Sequence, residues 1–253
     1  MIWEQTSESA QNWKLLPDGH LDLIFRFDEP WTIFSETYTS KSYNPTAQFC
    51  FLSGLQTKPI NVSFSHTHEI GVRLNSVAIK LIFGIPCNEL LNWAIGGDDV
   101  LPKKIAMIED AIKELPDFYT RSAWLENFML TMVRDNADFQ LATKISRVLN
   151  QLTNNRLNGE PIDICSLTGY SRMHTHRIFK DWFGMSPSQA ISMKQFIASL
   201  EQMHQDHESL THVALTNGFY DQAHFIRVFK QYAEMTPRQY LKSKTDIVGQ
   251  LPF

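Results

Sequence analysis

In "GFYDQAHFIRVFKQY", residues 218–232, a glutamine and an arginine stand where side chains can meet the edges of base pairs. Gln222, Ala223, Ile226 and Arg227 fall on one face of a helix, and Phe225, Val228, Phe229 and Tyr232 fall on the other. Glutamine and arginine present the forked hydrogen-bonding geometry that purine edges accept, and small apolar side chains suit a thymine methyl. Lys230, further along, is placed for a phosphate. Gly218 supplies the left-handed turn before this helix, and the carboxylate of Asp221 supplies its N-cap.

The pattern occurs twice. "ICSLTGYSRMHTHRIFKDWFGMSPSQAI", from Ile164, aligns with "VALTNGFYDQAHFIRVFKQYAEMTPRQYL", from Val213, at an offset of 49 before the turn and 50 after it. The second turn has gained one residue. Each block parses as helix, tight turn, helix, with a small residue (Cys165 or Ala214) in the first helix. Gly169 and Ser171 play the turn and cap roles of Gly218 and Asp221. Thr175, Ile178, Phe179 and Trp182 face inward in the first block. On its outer face, Met173, His176 and Arg177 are base-edge candidates, with Arg172 and Lys180 suited to phosphates. Between the blocks, "PSQAISMKQFIASLEQMHQ" predicts a helix of about 18 residues and about 27 Å. That length suits two reading heads roughly 34 Å, one DNA turn, apart.

The elements upstream are of another kind. "HLDLIFRF" alternates, with Leu21, Leu23, Phe25 and Phe27 on one face and Asp22, Ile24 and Arg26 on the other. "WTIFSETY", "AQFCFLSGL", "INVSFSH", "EIGVRLN" and "AIKLIFG" read as further strands of a sandwich or small barrel. After Pro86 the period becomes helical. Ile105, Ile108, Ala111, Ile112 and Leu115 share one helix face, as do Trp124, Leu125, Phe128, Met129 and Met132. A third helix carries Leu141, Ile145, Val148, Leu149 and Leu152. The predicted fold class is α+β with two domains: an N-terminal β-barrel or sandwich-like domain, a helical connector, and a C-terminal all-α domain with two helix-turn-helix units. The boundary is expected near residues 135–140.

Composition sets outer limits. The chain has 253 residues and a net charge of -4, yet from Arg156 onward ten basic residues oppose nine acidic ones. That part is therefore +1 and the remainder -5, with six of the nine histidines in the C-terminal part. Near-neutrality on that side gives weak encouragement for an anionic partner. The first residues, "MIWEQTSESAQNWKLLPDG", have no basic start and no apolar run, so no signal peptide is expected. "SVAIKLIFGIPCNELLNWAI" is broken by Lys80, Pro86 and Glu89 and is a poor membrane span. Cys50, Cys87 and Cys165 are far apart, which predicts reduced, buried thiols in a cytoplasmic protein.

Residues 210–241 closely resemble the C-terminal signature of AraC/XylS-type transcriptional regulators. The resemblance rests on Val213-Ala214, Gly218-Phe219, Asp221-Gln222, His224-Phe225, Arg227, Phe229-Lys230, Thr236-Pro237 and Tyr240. The first block matches at Gly169, Ser171, Arg177, Phe179, Gly184 and Ser186-Pro187, while Glu234 stands where the family often has glycine. "LLPDGHLDLIFRF", "FLSGLQTKPI" and "EIGVRLNSVAIKLIFGIPCNELLN" resemble a β-rich sensor module of some such regulators. The resemblance implies sequence-specific binding to double-stranded operator DNA and sensing of a small-molecule effector or partner by residues 1–100. It further implies a connector at 101–137 that relays the signal or forms a homodimer. An AraC-type DNA-binding domain would span 138–245, with units at about 160–183 and 210–233.

Two rival chemistries have less behind them. His66 and His68 in "SHTHE" could reach one metal ion, as in a cupin-like enzyme, but Ile60, Val72 and Arg73 occupy positions where a cupin site needs glycine and a carboxylate. Neither a GxSxG motif, a phosphate-binding glycine loop nor a CxxC pair is present, so no enzyme, cofactor or metal is expected. The second rival is a protein-interaction module built on a helix-turn-helix scaffold that no longer binds DNA.

Overall fold

The computed structural model describes residues 1–27, 32–34, 49–64, 67–134, 138–157, 163–205 and 209–252. Two antiparallel sheets hold its N-terminal part. β1 (Ile2–Ser7), β3 (Leu21–Arg26), β5 (Cys50–Ser53), β7 (Thr67–Leu74) and β8 (Ala94–Gly96) form one, in the order β1-β7-β3-β5-β8. β2 (Gln11–Leu15), β4 (Thr32–Phe34), β6 (Ile60–Phe64) and β9 (Gln250–Pro252) form the other, in the order β4-β6-β2-β9.

The alternation in β3 separates two cores rather than core from water. Leu21, Leu23 and Phe25 join the main core shared with the helices. Ile24, on the other face, packs with Phe51, Ile60, Val62 and Ala94 between the sheets, with Trp3 and Trp13 at the margin. Arg26 is buried beside them, opposite Glu69 in the β3–β7 register. Burial pulls its guanidinium down to about 10, with the Glu69 carboxylate opposing the shift, and it lies 5.4 Å from the Phe51 ring centroid.

Several strand expectations need correction. "AIKLIFG" belongs to a helix, α1 (Ser76–Phe83). Asn75 Oδ1 accepts the Ala78 N–H at 2.8 Å to start it, and Gly84 at φ +71° ends it. β1 and β2 precede "HLDLIFRF" and add two strands to the runs named from sequence. Of the runs at 31–38 and 47–55, Thr32–Phe34 and Cys50–Ser53 are strands, and residues 31, 35–38, 47 and 48 lie outside the described residues. Cys50 and Cys87 are buried free thiols, but Cys165 is only half-buried, at the exposed start of its helix.

The predicted connector helices form as α3 (Ile105–Glu114), α4 (Phe118–Arg134) and α5 (Phe139–Leu157), preceded by the short α2 (Gly97–Val100). Arg121 ties three elements together. Its Nε donates to the carbonyls of Ile112 and Leu115, each at 3.1 Å, and its Nη1 to Glu4 Oε1 at 2.8 Å. The expected boundary falls partly on residues 135–137 and the expected start of the first unit on 160–162, all outside the described residues.

The C-terminal part is α6 (Ile164–Thr168), α7 (Arg172–Phe183), α8 (Pro187–Gln205), α9 (Leu210–Thr216), α10 (Gln222–Ala233) and α11 (Pro237–Ser243). Beyond α11 the chain returns to the sheets. Lys244 Nζ donates to the Met203 and His204 carbonyls at 3.2 and 2.9 Å, and the Leu16 N–H donates to the Gly249 carbonyl at 2.8 Å. β9 then pairs with β2, Lys14 opposite Leu251, and Leu251 is 1% exposed. Leu251→Ala should therefore cost about 2–5 kcal/mol, as for other fully buried leucines. Urea denaturation followed by circular dichroism checks this, and an unchanged midpoint would show that β9 adds nothing to the fold.

Candidate nucleic-acid interface

Both units are built as their sequences require. In the first, Gly169 turns at φ +70° and Ser171 Oγ accepts the His174 N–H at 3.4 Å. Ile178, Phe179 and Trp182 are buried. Thr175, polar but inward, is satisfied by the Thr168 hydroxyl at 2.9 Å, a buried bond between α6 and α7. In the second, Gly218 turns at φ +70° and Asp221 Oδ1 accepts the His224 N–H at 2.7 Å. Phe225, Val228, Phe229 and Tyr232 are buried, and the Phe229 ring lies 5.2 Å from Phe196 and 5.8 Å from Tyr240.

The linker helix α8 does more than space the units. Gln195 Nε2 donates to the carbonyls of Asn217 and Gly218 at 3.1 and 2.6 Å, fixing the second turn against it. Phe196, one residue on, packs on Phe229 and Tyr232.

The candidate contact residues fall into two groups. Arg172, Met173, His176, Arg177 and Lys180 on α7 are exposed, as are Ala223, Arg227 and Lys230 on α10. Gln222 and Ile226 are half-buried: Gln222 Oε1 accepts from the Thr211 hydroxyl at 3.3 Å, and Ile226 packs against the core. Arg177 Nη2 lies 3.4 Å from His174 Nδ1.

A cleft of about 530 Å³ lies between the units, with Arg172 and His176 from α7, Ser188 and Ser192 from α8, and His224 from α10 on its walls. The two serines and His224 were absent from the candidates read from sequence. Their signal would have been position: all three lie in the first two turns of helices that begin beside the cleft.

The glycine substitution at 234 has a structural cause. The equivalent residue of the first unit, Gly184, turns at φ +72°, and a Cβ there would meet the Cys87 carbonyl oxygen at 3.0 Å. Glu234 adopts the same left-handed backbone at φ +56° but is exposed, so a side chain is sterically tolerated. The backbone penalty for a non-glycine residue remains.

Residues 164–243 match a helix-turn-helix domain family, and residues 1–95 match a domain of unknown function, DUF6597. A probable transcription factor, PqrA of Proteus vulgaris, is 32% identical over 91 residues, covering 36% of this chain and 75% of PqrA. The chain belongs to the AraC/XylS-type transcriptional regulators. The multiple antibiotic resistance protein MarA of Escherichia coli (strain K12) is 27% identical over 123 residues, 48% of this regulator and 93% of MarA. Among solved structures, unsaturated fatty acid-bound ToxT of Vibrio cholerae superposes with a TM-score of 0.51 at 16% identity, covering 98% of this chain and 96% of ToxT. That likeness carries the two-domain α+β fold alone.

In this AraC/XylS-type regulator, no described helix is long and apolar enough to cross a membrane. Among the described residues no cluster of three or more histidine, cysteine, aspartate or glutamate side chains is placed to hold a metal. His68 Nε2 lies 3.1 Å from Glu4 Oε1, and His66 is outside the described residues. Glu234→Gly should raise stability by about 1 kcal/mol by relieving the left-handed backbone. A higher melting temperature is the expected reading, and a lower one would show that the Glu234 side chain holds the cap.

Proposed function

We propose that the regulator docks α7 and α10 into adjacent major-groove segments of one operator. One observation carries this reading: two capped helices, each with a buried apolar face and an exposed basic one, are held by a single helix of 19 residues, about 28 Å long. On α10, Arg227 and Ala223 meet base edges, with Gln222 and Ile226 at the margin of the contact. On α7, Met173, His176 and Arg177 take that role. Arg172, Lys180 and Lys230 hold phosphates.

In this reading residues 1–100 form the effector-sensing domain, 101–137 the connector and 138–245 the DNA-binding domain. The apolar cluster between the sheets, with Phe51 and Val62 inside it and Trp3 and Trp13 at its margin, is where a small molecule with an apolar body would insert. A ligand of that general kind is present in the ToxT structure, whose fold this chain shares. The connector supplies a homodimer contact through Met107, Tyr119 and Leu130, all exposed on α3 and α4. The regulator is cytoplasmic and performs no catalysis.

Fluorescence anisotropy on duplexes from the upstream region of its own gene, beside a scrambled duplex, tests the assignment. Arg227→Ala should weaken binding to the native duplex by about 5–100-fold and relax the preference over the scrambled one. Lys230→Ala should weaken both equally and lower the salt slope by about 0.9. An Arg227→Ala variant with unchanged affinity and preference would favour an interaction module that does not read DNA.

A further inference from the structure

The second turn is one residue longer than the first, and the added residue is Tyr220. In the first unit, Tyr170 alone separates Gly169 from the cap Ser171. It is half-buried, its ring 4.4 Å from His174 and covered by Lys144 Nζ at 4.3 Å. In the second unit Phe219 takes the inner place, 4% exposed and 5.1 Å from the Phe225 ring. Tyr220 is left 88% exposed, more than any other large hydrophobic residue described.

The tyrosine is held out from a fixed base. Its backbone N–H lies 3.4 Å from His224 Nδ1, so the turn is anchored while the ring faces water. With Ala223 and Arg227 it borders a hollow of about 340 Å³ at the N-terminal end of α10. Asp221 and His224 complete that hollow. The Asp221 carboxylate, the one acid there, accepts the His224 amide at 2.7 Å as the helix cap.

We infer that Tyr220 is a DNA-positioning residue of the second unit. Its hydroxyl donates to a backbone phosphate at the rim of the groove that Arg227 enters, and its ring covers the adjoining sugar. The inference rests on the proposed docking of α10. A tyrosine with an apolar body and a polar tip gains by being covered at an interface that leaves the hydroxyl a partner. Its place selects backbone over base, because residues inside the helix start reach base edges while the turn before them flanks the strand. The amides at that helix end favour a nearby anion. The first unit has no counterpart, since Tyr170 is engaged by Lys144 and His174. The second unit thus has a neutral phosphate contact beside Lys230, where the first has Arg172 and Lys180.

The test compares Tyr220→Ala, Tyr220→Phe and Arg227→Ala with the wild type, by anisotropy on native and scrambled duplexes over a salt series. Tyr220→Phe should lower affinity about tenfold on both duplexes, from loss of a hydrogen bond to a charged group, and Tyr220→Ala about thirtyfold, since the ring contact goes as well. A neutral hydroxyl releases no counterion, so the salt slope and the native-to-scrambled ratio should both hold. Arg227→Ala should lower that ratio. Melting temperatures should match the wild type, because the side chain packs on nothing. Wild-type affinity in Tyr220→Ala, a loss confined to the native duplex, or a changed salt slope would each overturn the assignment. A wild-type protein with no preference between duplexes would sink the docking of α10 and this inference with it. A clear wild-type preference beside an intact Tyr220→Ala would sink this inference alone.

Discussion

Burial of one short helix holds the two halves of the molecule in a single arrangement. α1 packs against α4, α5 and α7, so the connector and the first helix-turn-helix unit meet on its surface, within the core they share with the sheets. Val77, Ile79 and Leu81 are buried there, each contributing about 1.5–3 kcal/mol relative to exposure. The Lys80–Asp181 ion pair at 2.8 Å and the Lys80 contact with the Trp182 ring add orientation more than stability, since Asp181 is partly in water. The Cys87 thiol donates to the Ser76 carbonyl at 3.1 Å, fixing the turn against which Gly184 fits.

From that constraint the two reading units acquire different attachments. The first is fastened to the sheet domain through α1 and the Cys87–Glu89 turn, and it cannot shift without disturbing the shared core. The second is fastened to the linker helix, through Gln195 on its turn carbonyls and Phe196 in its aromatic core. The sheet domain therefore reaches the first unit by direct contact. It reaches the second through the linker and through the tail strand.

What the sequence showed best was whatever is local and repeated. The glycine turns, the serine and aspartate caps and the inward faces of α7 and α10 all follow from spacing within a dozen residues. α1 reads as a strand from sequence because a helix surrounded by protein loses its polar stripe, and "SVAIKLIF" then resembles a buried strand. β1 gives no alternating signal because "IWEQTS" carries polar residues on both faces, where Glu4 serves His68 and Arg121. β9 spans three residues, too few for any period, and exists because β2 offers it an edge. Among the candidate contacts, helix spacing identified which face looks outward. It could not foresee that Thr211 and the core would each claim part of Gln222 and Ile226, because those partners come from elsewhere in the fold.

The pairing of Trp13 with Pro252 has a consequence for biosynthesis. A chain emerging from the ribosome completes β1 to β8 and every reading helix before residues 250–252 appear. Through that interval the outer edge of β2 carries unpaired backbone groups, the kind of edge on which nascent chains pair with one another. Pairing with β9 covers that edge of β2 with residues 250–252, which leave the ribosome after α11.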